Sequence, residues 1–223
     1  PYGLHDIIDN HELNQASNDP VALNLMRQAR VRNILSQAGN SRLKETLTLA
    51  RAGVGATASV WSASADPVAL IDAQMLAIAE KIGMLPNKVV FSLGAWNIFR
   101  NSTKVIDRHP GSNQISAQAG NVGGMFLNPS SEVTVATSIF DTPMKATSAK
   151  AAALANEVYV YYGNNNADQY DGSFMKTFRI GDNPIQGVRS VQKDHGEKII
   201  VDWTEAAYVN NSDAASRLTV TTS

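Results

Sequence analysis

The chain has 223 residues, 43% hydrophobic and 17% charged, with a formal net charge of −1. That length suffices for one large domain or two modest ones with a real apolar core, and the near-zero charge excludes an overall field drawing the chain onto nucleic acid or anionic lipid. With no cysteine, disulfides, thiolate nucleophiles and cysteine-based zinc sites are excluded together.

A charged fraction below the usual quarter leaves the surface to Ser, Thr, Asn, Gln and Ala. Such a surface gives up its water easily, which suits a protein that lives against neighbours; an ordinary monomer with a neutral polar surface has the same composition. The longest apolar runs fall short of the ~18 to 20 residues that span a bilayer, and no secretory signal is visible. A soluble intracellular protein is expected. The first residue is Pro1 rather than Met, which reads as a processed or shortened start.

Residues 1–19, "PYGLHDIIDNHELNQASND", are polar with isolated Leu and Ile and read as an extended arm. Asp19-Pro20 then supplies a helix cap followed by proline at the first helical position. Val21, Leu25, Ala29 and Arg32 mark one face, and Leu23, Met26, Arg30 and Ile34 another. The helix is predicted to run to about Gln37, where "AGNS" stops it. Beyond it "TLTLA" alternates like a strand and "AGVGATAS" reads as a loop.

Asp66-Pro67 again sets a cap and a first turn. Leu70, Ile71, Met75, Ile78 and Ile82 recur at helical spacing, and Gly83 is placed to end the helix. "LPN" turns the chain, and "KVVF" has the β-branched run of a strand buried on both faces. Ser92 can cap "LGAWNIFR", which puts Trp96 and Phe99 on one side. The expected core is therefore Ile71, Met75, Ile78, Trp96 and Phe99. A helix, strand, helix order points to an α/β or α+β domain.

After Pro110 the pattern loosens. "QISAQAGNVGGMFLN" reads as a weak helix, "SEVTVATSIF" as a strand, "AKAAALAN" as a short helix or turn, and "EVYVYYG" as a strand. "NNNADQYDG" is a loop, and a β-rich tail follows with "SFMKTFRI", "GVRSVQ", "EKIIVDW" and "RLTVTT".

Chemistry is sparse. His5, His11, His109 and His195 form no HExxH pattern and read as turn histidines. "GNVGG" lacks the Gly-Lys-Ser/Thr end of a phosphate loop and reads as loop. Asp202 and Glu205, with Glu197 nearby in sequence, read as solvated acids. Arg27 and Arg30 stand three apart on the first helix; they could contact phosphates, or belong to a solvated face or to ion pairs with a neighbouring subunit. Tyr159, Tyr161 and Tyr162 could stack on a base or sugar, or serve a structural or interface role. No residue is named as catalytic, cofactor-binding or metal-ligating.

The order of motifs from residue 61 to 108 resembles the major capsid (coat) proteins of tailed bacteriophages, which share the HK97-like fold. It comprises Trp61-Ser62, Asp66-Pro67, Pro86-Asn87, "VVF", Trp96 and Ile106-Asp107-Arg108. "ANEVYVYYGNN" followed by "DGSFMKTFRI" looks like a later strand and loop of those proteins, and "YGLHDIIDNHELNQASNDPVALN" resembles the lead into their spine helix. Two departures stand out. The family's arm and extended loop precede the spine helix, where this chain has little, and "HPG" follows Arg108 where the family has His-Pro slightly earlier.

The resemblance implies an α+β fold of two lobes: an axial lobe with a central sheet flanked by helices, and a peripheral lobe of spine helix plus antiparallel sheet. The implied division is an arm or tether at 1–19, the spine helix and following loop or strand of the peripheral lobe at 20–64, the axial part at 65–165 and a β-rich return to the peripheral lobe at 166–223. It implies a structural protein, not an enzyme, that self-assembles as pentamers and hexamers into an icosahedral shell around double-stranded DNA. Arg27 and Arg30 would face the genome, and scaffold, portal or decoration proteins would be partners. The location would be the virion, after assembly in the host cytoplasm, with no cofactor and no membrane. Competing expectations are an encapsulin-like compartment, separated by whether particles carry nucleic acid, and a soluble α/β enzyme or ligand-binding module, which would not form particles.

Overall fold

The computed structural model describes residues 2–16, 19–62, 64–108, 118–141, 150–166, 168, 170–179, 185–193 and 196–222. The fold is α+β, and the chain divides into two compact units. The first comprises Pro1–Thr46 and Thr177–Tyr208, the second Leu47–Lys176 and Val209–Ser223.

In the first unit, strand β1 (Tyr2–Asp9) precedes a short helix α1 (Asn10–Ala16) and the long helix α2 (Pro20–Gly53), whose residues 20–46 belong here. β1 pairs antiparallel with β10 (Gly196–Trp203), which pairs antiparallel with β9 (Ile185–Lys193). Alternation along β10 sends Ile199, Val201 and Trp203 onto Ile34 and Ala38 of α2, with Ile8 of β1 completing the cluster. The segment read as an extended arm is thus extended, but most of it is a paired strand and a helix. Its pairing with β10 is non-local, so no short window of sequence announces it.

The helix expected to stop near Gln37 continues to Gly53. "AGNS" fails as a stop because Gly39, Asn40 and Ser41 lie on an exposed side, where helix-poor residues cost only fractions of a kcal/mol each. The helix gains on its buried side from Ile34 and Ala38 in the first unit, and from Ala50 in the second. The alternating "TLTLA" is helical for the same reason.

The second unit is built on a five-stranded mixed sheet in the order β2 (Ala56–Val60), β12 (Ala215–Thr221), β7 (Glu157–Tyr161), β3 (Lys88–Ser92), β4 (Glu132–Ala136). β7 runs antiparallel to both neighbours, and the edge strands β2 and β4 lie parallel to theirs. Ala56–Val60 and Ala215–Thr221, expected in the peripheral lobe, are therefore strands of this central sheet.

Helix α3 (Pro67–Ile82) and helix α4 (Leu93–Arg100) cover one face of the sheet. Asp66 Oδ1 accepts from the N–H groups of Val68 and Ala69. Gly83, at φ 72°, closes the helix in the left-handed conformation that favours glycine. Ser92 Oγ accepts from the N–H of Ala95, starting α4 without an intervening loop. Helix α5 (Thr103–Asp107) follows, then a single turn α6 (Ala119–Val122) that runs into a 3-10 turn, Gly123–Met125. The glycine-rich stretch read as loop is therefore helical in part. β5 (Ile139–Asp141) pairs with β6 (Lys150–Ala152), and β8 (Met175–Arg179) with β11 (Glu205–Val209). "AKAAALAN", expected as a helix or turn, supplies β6 and the bend before β7.

Candidate functional site

The most organised chemistry of the second unit is its core. Val158 and Val160 of β7, Val89 and Phe91 of β3, and Leu218 and Val220 of β12 meet Ile71, Met75 and Ile78 of α3 and Trp96 and Phe99 of α4 in one cluster. All five residues of the expected core are buried there. Trp96 stacks on Phe99 with ring centroids 5.7 Å apart and meets Phe91 edge-on at 5.3 Å. Such aromatic contacts each add about 0.5–1.5 kcal/mol beyond area burial. The alternate residues of the same strands, Val90, Tyr159 and Tyr161, serve a second cluster on the other face with Ala50, Val54, Leu154 and Phe174.

That placement decides between the readings for Tyr159. Tyr159 is 4% exposed and sits in the second cluster, so its ring is unavailable for stacking on a base. Burial, opposed by the charge of Arg217, pushes its phenol upward from the ordinary value of 10.

Ion pairs hold the first unit together around α2. Arg27 reaches Glu197 Oε2 at 2.8 Å, and Glu197 is 3% exposed. Burial by itself would raise the Glu197 pKa; hydrogen bonds donated by Arg27 and Ser190, with the Arg27 charge, outweigh it and hold the carboxyl below its usual range. Arg30 bonds Glu12 at 2.8 Å and Asp6 at 3.4 Å, and Arg42 pairs with Glu205. Of the acids read as solvated, Glu197 and Glu205 have buried side chains, and each faces an arginine of α2.

These pairs eluded the sequence because the partners stand far apart in the chain. In the second unit Arg51 pairs with Glu157 at 2.9 Å, and the same bond raises the arginine's pKa. Asp66, besides capping α3, pairs with Arg108.

His5 and His11 are exposed, and the His11 ring bonds the Gln15 amide at 3.0 Å. His109 and His195 lie outside the described residues. Among the described residues no three His, Asp or Glu side chains stand together as a metal site, and no helix is long and apolar enough to cross a membrane. A cavity of about 330 Å³ in the second unit, between α3 and the turn before β12, is lined by Gln74, Lys81, Asp213 and Ser216. There Ser216 donates to the Gln74 carbonyl and Lys81 pairs with Asp213.

Each unit has its own apolar core, and Arg27, Arg30 and Arg42 of α2 are committed to ion pairs. Protein-family models give no match, and no curated protein matches in sequence. Solved structures do. The chain is similar to a phage-related protein from Bordetella bronchiseptica RB50, with 19% identity over 98% of this chain and 74% of that one, at a TM-score of 0.78. It is also similar to the mature capsid of bacteriophage PhiM1 (12% identity, 99% and 70% covered, TM-score 0.56) and to the capsid of Cyanophage P-SCSP1u (15%, 100% and 72%, 0.53). The chain has the HK97-like fold of phage capsid proteins.

Proposed function

We propose that this chain is a major capsid protein whose copies assemble, as pentamers and hexamers, into a closed icosahedral shell around a phage genome. The observation that carries the reading is the likeness to capsid structures over nearly the whole chain. In this reading the second unit is the axial lobe, directed at the symmetry axis of a capsomer, and the first is the peripheral lobe.

The physics of the chain fits that work. A shell needs stiff tiles with contact surface on every edge, and no activated nucleophile. Head-to-tail contacts that close on themselves make rings, and rings meet along other edges. Obligate contacts bury roughly 2,000 Å² or more, and each copy makes several. A surface poor in charge is cheap to strip of water.

Packaged double-stranded DNA would be held by non-specific contact. Arg27 and Arg30 are the proposed genome-facing residues; both already face carboxylates, and the Arg27 side chain keeps 42% of its surface exposed. Scaffold, portal or decoration proteins as partners, a structural and not enzymatic role, and assembly in the host cytoplasm before residence in the virion belong to the same proposal.

Electron microscopy of the purified protein tests it. Closed particles are expected, and a chain that remains single at every concentration and salt would end the reading. Particles without nucleic acid but with a protein cargo would favour a compartment over a virion.

A further inference from the structure

The outer face of α3 has no covering element among the described residues. Ile71, Met75 and Ile78 face the core, and the opposite side carries Ala69, Leu70, Ala73, Leu76 and Ala77, all exposed. Leu76 is 52% exposed and Leu70 36%. Leu127, 44% exposed, extends the patch: its backbone N–H donates to Asp72 Oδ1 at 2.7 Å, one turn before Leu76. The stretch from Ala69 to Ala77 is about 12 Å long at 1.5 Å per residue, and its one charged residue is Asp72, half-buried with its carboxylate accepting the Leu127 N–H.

Flanking charges are settled within the chain, Asp66 with Arg108 and Lys81 with Asp213, and the Asp72 carboxylate keeps its hydrogen bond from the Leu127 N–H. Glu80 marks one end, exposed and without an ion-pair partner among the described residues. Arg100 on α4 and Lys104 on α5, in the same unit, are exposed and have no ion-pair partner among the described residues either.

The largest apolar patch on a typical soluble monomer is roughly 300–600 Å² and is often functional. A stable contact takes about 800 Å² from each partner, apolar in the middle and polar at the rim. Leu70, Leu76 and Leu127 supply the middle, and Glu80 of one copy is complementary to Arg100 and Lys104 of another.

We propose that this face of α3 docks a second copy of the chain head to tail, the neighbour presenting its α4–α5 surface. The proposal rests on the shell reading and names the surface that closes the ring.

The test compares particle formation by the wild type and L76E, using electron microscopy and a sizing column, with far-UV circular dichroism to check the fold. Because Leu76 is exposed in the single chain, L76E is expected to keep the wild-type spectrum and to lose particles entirely. A second variant, L76C, exploits the absence of native cysteine. Its thiol is expected to react with a maleimide at least tenfold more slowly in particles than in unassembled chains, and this protection decides the matter if L76E fails to fold. Normal particles from L76E, or equal L76C labelling in both states, would overturn the docking face while leaving the shell reading standing. A wild type that forms no particles would bring down both.

Discussion

Replacing Trp96 with alanine removes an indole that is 8% exposed, stacked on Phe99 and set edge-on to Phe91. The void left behind is roughly 100–150 Å³, costing about 2.4–3.6 kcal/mol at ~24 cal/mol per Å³. Loss of the two ring contacts adds about 1–3 kcal/mol. The sum, about 3.4–6.6 kcal/mol, overlaps the range of about 3–5 kcal/mol for aromatic-to-alanine changes in cores, which is the loss expected here.

For a chain of this length, that corresponds to a fall in Tm of roughly 6–20 °C in the transition of the second unit. Urea unfolding of the unassembled chain, followed by far-UV circular dichroism, measures it. Fluorescence would be misleading, because Trp61 belongs to the same cluster. L93A is the control: Leu93 is 56% exposed, and its change is expected to stay within about 0.5 kcal/mol. A loss below about 1 kcal/mol for W96A would show that the ring does not hold α4 onto β3 and α3.

In the first unit, E197Q leaves Arg27 facing a neutral amide and is expected to cost about 1–3 kcal/mol, at the low end because Arg27 is partly solvated. Glu197 is held below the ordinary 4.5, so as the pH falls the unfolded chain takes up the proton first. Its stabilisation is complete above about pH 4.5 and is lost as the pH drops through the folded value. Acid titration of unfolding should thus be steeper for the wild type than for E197Q below that pH; equal slopes would remove Glu197 from the account. Glycines separate in the same assay. A Cβ on Gly123 would lie 2.1 Å from the Ser131 carbonyl oxygen, so G123A is expected to lose about 1–3 kcal/mol by overpacking. Gly39 in α2 has nothing within 4 Å, and G39A is expected to gain about 0.5–1 kcal/mol.

The helix at Pro67–Ile82 was legible because every signal lies within one window: the Asp66 cap, Pro67, the spacing of Ile71, Met75 and Ile78, and the stop at Gly83. "KVVF" and "EVYVYYG" were legible as strands because β-branched and aromatic runs suit a sheet buried on both faces. The extension of α2 past Gln37 was not, since Gly39 and Asn40 argue locally for a stop and the residues that overrule them belong to distant strands. The candidate docking face was half legible: the inward stripe of α3 could be read from its period, but Leu70 was counted with that stripe, and only burial shows that it points outward.

Composition and local pattern by themselves determined a chain of α/β or α+β class with little charge, no thiol chemistry, a capped central helix and a named aromatic core. These follow from interactions between residues close in sequence, where capping and periodicity act. Tertiary structure alone decided that Ala56–Val60 and Ala215–Thr221 join the sheet of β3 and β7, that Tyr159 turns inward, and that Arg27, Arg30 and Arg42 each find a carboxylate. Pairing across such separations depends on which surfaces meet when loops close, and the entropy and burial that settle it are properties of the whole chain.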